Sequence, residues 1–289
     1  MKGVCLILLF VSTLAVVWGA TVGKVPDEAL QKFSEEIFDK DVNNAYKFIR
    51  VNYQSRTRSN SLKDEAPLPL ITVDTKALQI PTVAKVRVMY NNYVPDTLVN
   101  EQVTKEEISE EDSLLDTFIK TPIMVHTMKF LADNRLVKRD PRAFKEFLRK
   151  LWFGLYSRGN RKVGSSSFEH IFLAELKRGE ISGMHNWIYF SNEEAKKTAD
   201  YLGYMRKLEL GGKGAILKLH YKWSNVMKPV GTMFVGTSPE LEMALYTVCF
   251  MTRPDEKCSL KLGGKVVGIK THTFRYKGYN YIGSAFPDI

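Results

Sequence analysis

Two histidines lie fifteen positions apart in segments of different local character, His170 in Glu-His-Ile-Phe and His185 in Ser-Gly-Met-His-Asn-Trp. The first reads as a strand and the second as the start of a helix, so their imidazoles can converge on one cleft. Two imidazoles working as acid and base are what cleavage of RNA by its own 2'-hydroxyl requires: one takes the proton of the nucleophile while the other delivers a proton to the departing 5'-oxygen. By spacing alone, a strand histidine between Phe168 and Phe172 is more often structural. A third group is needed for the negative charge of the transition state, and Lys228, in Met-Lys-Pro-Val-Gly-Thr, is expected in a Pro- and Gly-containing loop after a strand.

The roles divide by local environment. With Ser182 as N-cap, His185 falls in the first turn of a helix, where the macrodipole disfavours a cation and keeps the ring neutral, as a base must be. His170, next to Glu169 and five residues from Glu175, is expected to stay protonated longer and serve as acid. On an ideal strand, however, both carboxylates share the face opposite His170, so their support needs a twist, a bulge or another segment.

The elements that must hold these groups follow from periodicity. Apolar residues Leu30, Phe33, Ile37, Phe38 and Val42 recur at three and four from Pro26 to about Phe48, an amphipathic helix. Residues 53–69 read as a loop. Short helices are expected around Val83, Val86, Met89 and Tyr93, after Thr104 with Glu107 as a capping box, and after Pro122. Asp140 and Pro141 open a further helix with the apolar face Phe144, Phe147, Leu148, Leu151, Trp152 and Leu155.

The segment 157–167, with two Gly and four Ser, breaks this periodicity. Beyond it strands are expected over 168–176, 216–223, 266–276 and 279–286, interrupted by helices starting at Ser182 and Ser238. The class is α+β: a helical N-terminal lobe over residues 21–160, then a mostly antiparallel catalytic lobe with two short helices over residues 161–289.

Residues 1–20 read as a secretory signal peptide, with Lys2 before the apolar run Val4 to Leu9 and its continuation to Val17, and cleavage favoured after Gly19. A secreted chain is the expectation. Of the three cysteines Cys5 leaves with this leader, and Cys249 with Cys258 allows either one disulfide or a buried free thiol. The absence of a CxxC pair argues against structural zinc. Removing Lys2 from the 42 Lys and Arg leaves 41 against 32 Asp and Glu, a formal charge of +9 that favours polyanionic partners, nucleic acid or an anionic surface. With 44% hydrophobic residues, 16 Phe, 13 Tyr and 4 Trp, the composition is that of a packed globular protein and excludes general disorder.

Four runs, Ser165 to Glu175, Gly179 to Ile188, Lys228 to Tyr246 and Tyr281 to Pro287, resemble the EndoU family of endoribonucleases and occur in family order; Asp41 to Tyr46 and Asp64 to Leu70 extend the likeness. The resemblance implies cleavage of single-stranded RNA at uridylates with a 2',3'-cyclic phosphate product, stimulation by Mn2+, catalytic roles for His170, His185 and Lys228, and Glu169 and Glu175 as supporting acids. It also implies substrate contacts from Thr232, Phe286 and Tyr281, Thr232 standing where relatives carry a Ser or Thr that meets the uracil edge. Many relatives have Tyr at the position of Phe286, whose ring can still stack on a base without a phenol hydroxyl. The rival from another class is an RNA-binding protein with weak or dispensable nuclease activity. A serine hydrolase is disfavoured, since no GxSxG elbow is present.

Overall fold

In the computed structural model, which describes residues 24–289, Pro26 opens helix α1 (Asp27–Asp39), whose Leu30, Phe33, Ile37 and Phe38 are all buried. The leader expected over residues 1–20 lies outside the described residues. The first helix stops earlier than its periodicity suggested. Asn44 donates to the Asp41 carboxylate and accepts from the Tyr46 amide, local bonds that compete with the helical ladder, and Val42 is left exposed. Tyr46–Phe48 forms a 3-10 turn leading into β1 (Ile49–Val51), which pairs antiparallel with β2 (Ile71–Val73) across the expected loop.

Four helices follow close to their expected places after the short α2 (Thr75–Leu78): α3 (Pro81–Val88), extended by a 3-10 turn at Met89–Asn91, then α4 (Lys105–Phe118), α5 (Pro122–Asp133) and α6 (Pro141–Phe153). Their starts are fixed by chemistry visible in the sequence. Thr104 and Glu107 close a reciprocal capping box, while Thr121 and Asp140 cap helices that have Pro in the first turn.

The second half carries α7 (Ser167–Phe172), β3 (Ala174–Lys177), β4 (Glu180–Gly183), α8 (Trp187–Ala195), β5 (Ala199–Glu209), β6 (Ala215–Trp223), β7 (Val226–Val235), α9 (Pro239–Thr252), β8 (Lys257–Leu262), β9 (Lys265–Tyr276) and β10 (Tyr279–Asp288). The strands pair antiparallel as β3-β4, β5-β6-β7 and β8-β9-β10, so the α+β reading holds, with helices first and antiparallel sheets later. Helix α9, capped by Ser238, is buried along almost its whole length. It packs on α5 and β9, while α1 lies against β8. A disulfide joins Cys249 in α9 to Cys258 in β8, which resolves the two alternatives for this pair.

Three local expectations are corrected. The strand expected over 168–176 is a short helix followed by a short strand: the Ser166 hydroxyl accepts from the Glu169 amide, and Phe168, Ile171 and Phe172 then fall on one buried face. The helix expected from Ser182 starts at Trp187 instead. Asn186 caps it by accepting from the Ile188 and Tyr189 amides, and Ser182 belongs to β4. Lys228 lies near the start of a strand rather than in a loop, because β7 is the edge of its sheet and tolerates Pro229 where the ladder to β6 shifts register around His220. No helix among the described residues is long and apolar enough to cross a membrane.

Candidate active site

The two histidines meet because α7 is tied to the corner that precedes α8. Gly183 has φ +74° and Met184 φ +62°, and the amides of Met184 and His185 donate to the carbonyls of His170 and Ile171 at 3.0 and 2.9 Å. A Cβ on Gly183 would sit 1.7 Å from the His170 carbonyl oxygen, so no side chain fits at that approach. The two rings end with centroids 6.2 Å apart, at the wall of a cleft of about 530 Å³ between the β5-β6-β7 and β8-β9-β10 sheets. Lys228, Thr232, Phe286 and Arg158 line the same cleft.

Each ring has one nitrogen committed. His185 Nδ1 lies 2.8 Å from the carbonyl oxygen of Thr232, and a carbonyl only accepts, so Nδ1 carries the hydrogen and the lone pair of the neutral ring is on Nε2. Phe286 stacks on this ring at 5.1 Å. His170 Nδ1 lies 2.7 Å from Glu175 Oε2, again leaving Nε2 for chemistry. Glu175 is fully buried and is held as well by Arg158, whose Nε is 2.9 Å from the same Oε2 and 3.2 Å from Oε1, and by the Ser165 hydroxyl on Oε1. Arg158 is fixed in turn by donating to the Tyr156 hydroxyl and the Gly283 carbonyl at 2.8 and 2.7 Å.

Electrostatics follow from this burial. Desolvation pushes His185 well below the ordinary histidine range, and the nearby Lys228 and His170 push it the same way against its bond to Thr232. The ring is neutral as a base must be, but the cause is burial and not a helix terminus, since His185 precedes the cap of α8. His170 is also pushed down, to about 4, by burial and by Arg158, against the pull of Glu175. The expectation that its carboxylate neighbours keep it charged is corrected for the free protein. Burial pushes the Glu175 carboxyl up, yet His170, Arg158 and Ser165 outweigh it and hold the group below its usual range. Lys228 donates to the Ile181 carbonyl at 2.8 Å, and burial lowers its ammonium to about 8 against the opposing charge of Glu180.

Residues 29–287 match the family described as Endoribonuclease XendoU. The chain belongs to this family. It is 36% identical to the uridylate-specific endoribonuclease EndoU of Drosophila melanogaster over 92% of this chain and 84% of the relative. It is also 36% identical to poly(U)-specific endoribonuclease-B of Xenopus laevis, over 93% of this chain and 96% of the relative. Among solved structures, that of XendoU, described as a splicing-independent snoRNA-processing endoribonuclease, superposes with a TM-score of 0.75 at 31% identity, covering 92% of this chain and 98% of that one.

Not every residue that the EndoU resemblance implies belongs to the cleft. Glu169 is fully buried behind it, neither carboxylate oxygen has a hydrogen-bond partner, and burial with the charge of Glu175 raises it well above the usual range; it is an interior group that does not line the cleft. Tyr281 packs on Tyr156 at 5.3 Å, also away from the lining. Conversely Arg158, the anchor of Glu175, stands in the irregular 157–167 segment, where no periodicity marks its role. Lys218 and Lys270 carried no sequence signal either, and Ser165 entered only as the first residue of a family-like run. Among the described residues no group of three or more His, Cys, Asp or Glu is arranged to hold a metal ion, and the charged groups lining the cleft are Arg158, Lys218, Lys228 and Lys270 with the single carboxylate of Asp288. This donor set does not fit the Mn2+ implied by the EndoU resemblance, and no chemical step is derived through it.

Proposed function

We propose that this chain is a uridylate-preferring endoribonuclease that cleaves single-stranded RNA and acts outside the cell. The observation that carries the reading is the pair of imidazoles whose Nδ1 atoms are both committed, to Thr232 and to Glu175, with Lys228 in the same cleft. His185 Nε2 takes the proton of the 2'-hydroxyl, and the freed oxygen attacks the adjoining phosphorus. The bond from phosphorus to the 5'-oxygen breaks, and a proton from His170 Nε2 goes to that oxygen. The products are a 2',3'-cyclic phosphate and a 5'-hydroxyl. Although His170 is neutral in the free protein, a phosphate anion brought beside it raises its proton affinity, and Glu175 stabilises the resulting imidazolium. The Lys228 ammonium balances the charge that builds on the phosphoryl oxygens.

Secretion is supported by the apolar leader and by the Cys249 to Cys258 disulfide, a bond that persists in oxidising compartments. The manganese stimulation implied by the resemblance enters without a step of its own, since the protein groups balance both proton transfers. The deciding experiment offers an oligonucleotide with one uridine and its 2'-deoxyuridine counterpart. Cutting of the first alone, with a cyclic phosphate end, is expected. Binding of both without cutting would point to the RNA-binding protein instead.

The lowered Lys228 sets an upper limit on the pH range. Its ammonium is lost as pH rises through about 8, so kcat/KM is expected to fall above that pH. Lys228→Arg should move this descending limb upward, and Lys228→Ala should lower the rate about 100-fold while removing the limb. A profile of the unaltered protein that stays flat to pH 9.5 would take Lys228 out of the mechanism.

Base choice is assigned to Thr232 and Phe286. A hydroxyl can donate to a uracil carbonyl or accept from its N3 proton, whereas cytosine presents another edge there. Thr232→Val is expected to narrow the ratio of single-turnover rates at uridine over cytidine. Phe286→Ala should slow both, through lost stacking of roughly 1–3 kcal/mol. An unchanged ratio in the Thr232 variant would sink the specificity claim.

A further inference from the structure

Three aromatic rings form a strip along the cleft. His185 stacks on Phe286 with centroids 5.1 Å apart, and Phe286 meets His272 at 5.9 Å. All three line the cleft, and the strip rises from the buried His185 through the half-buried Phe286 to the exposed His272. Two of these rings have parts in the proposed reaction, the first as base and the second against the uracil. The third has none so far.

The strands explain why His272 faces the cleft. Successive side chains of a strand alternate between its faces. In β9 Ile269 and Thr271 are buried while Lys270 and His272 line the cleft; in β10 Ala285 is buried while Ser284 and Phe286 line it. His272 is directly opposite Ser284, two positions from Phe286 on the same face. Strand β8 accompanies β9 only as far as Lys270, opposite Lys257, so at Thr273 that side of β9 has no strand beside it. There Asp255 takes the place of one: its carboxylate accepts from the Thr273 amide at 2.7 Å and from the Thr273 hydroxyl at 2.6 Å. The backbone next to His272 is thereby pinned while its ring stays exposed. Lys270, by contrast, is engaged by Asp288 at 3.5 Å.

The order of the rings gives the strip a direction. His170 meets His185 at 6.2 Å and, among the described residues, packs on no other ring, so the order is His170, His185, Phe286, His272. In the proposed reaction the 5'-oxygen of the following nucleotide departs at His170, the 2'-hydroxyl meets His185 and the uracil meets Phe286. The end at His272 is then the side of the nucleotide that precedes the uridylate. Bases of a single strand stack on successive aromatic side chains with little regard to sequence, because every base has a π-face. We propose that His272 is a stacking platform for the base on the 5' side of the scissile uridylate. It rests on the ribonuclease reading of the cleft. A platform remote from the reacting atoms holds ground and transition states equally, and so contributes to KM and not to kcat.

The test uses the full chain with His272→Ala and three short RNAs that each carry one uridine: one intact with a purine on its 5' side, one abasic at that position, and one abasic on the 3' side. On the intact RNA, KM is expected to rise about tenfold with kcat unchanged, and on the RNA abasic at the 3' side to rise as much. On the RNA that lacks the 5' base, variant and unaltered protein should agree within about twofold, because no base is left to stack. His272→Phe keeps a ring and should keep KM on the intact RNA. The slope of log KM against log salt should not change in either variant, since stacking neutralises no phosphate. An unchanged KM of His272→Ala on the intact RNA overturns the platform, as does an equal rise on the RNA without the 5' base. A rise that disappears with the 3' base instead overturns the assigned side. Loss in His272→Phe equal to that in His272→Ala, with a shallower salt slope, would make His272 a phosphate contact. If the unaltered protein cuts none of the three RNAs, the ribonuclease reading fails and the platform with it.

Discussion

His185→Ala is expected to lower single-turnover cleavage of a uridine-containing RNA by at least about 100-fold while affinity for the uncleavable 2'-deoxy analogue changes by less than about twofold. The base acts on the proton of the nucleophile and so contributes in the transition state, whereas phosphate contacts act in both states. The variant also leaves the Thr232 carbonyl without its donor, at about 1–3 kcal/mol, so its urea midpoint has to be measured beside the rate. His170→Ala should match the loss by removing the acid. Near-normal cleavage by either folded variant would remove the paired-imidazole mechanism.

The second large effect is expected at Glu175, which never touches substrate. Glu175→Ala leaves the Arg158 guanidinium buried without its carboxylate, and loss of one member of a buried pair costs about 3–5 kcal/mol. The urea midpoint should drop accordingly, with m unchanged. Glu175→Gln keeps the volume, so it separates folding from positioning. It removes the charge that steadies the His170 imidazolium, and the rate should fall at least about 10-fold with KM little changed and with a shifted pH profile. If Glu175→Gln lowers stability alone and leaves rate and pH profile intact, Glu175 is only a structural anchor.

The elements with strong local signals were legible in the sequence. Thr104 with Glu107, Thr121 with Pro122, Asp140 with Pro141 and Ser238 with Pro239 place four helix starts, because capping chemistry is local. The residues around the histidine pair were less legible. Helix α7 spans six residues, too few for a 3.6-residue period to be told from alternation, so His170 was read into a strand. The start of α8 depended on the left-handed corner at Gly183 and Met184, which moves the cap from Ser182 to Asn186.

Sequence distance hid the rest of the site. Arg158 finds Glu175 seventeen residues on through tertiary packing, and no local pattern announces it. The resemblance brought Thr232 and Phe286 to the cleft, but it also carried Glu169 and Tyr281, which the structure places behind it. A family motif marks residues that matter without separating those that face the substrate from those that support the wall.

The bond from His185 Nδ1 to the carbonyl of Thr232 makes one residue serve two ends: its backbone orients the imidazole proposed as base, and its side chain lines the cleft proposed to hold the uracil. These two traits cannot drift independently. A change of base preference that shifts the β7 backbone would also tilt the imidazole, so new preferences are accessible to this lineage, or to an engineer, mainly through side-chain exchange at position 232 on an unmoved strand. The fold thereby restricts the evolutionary routes to altered selectivity.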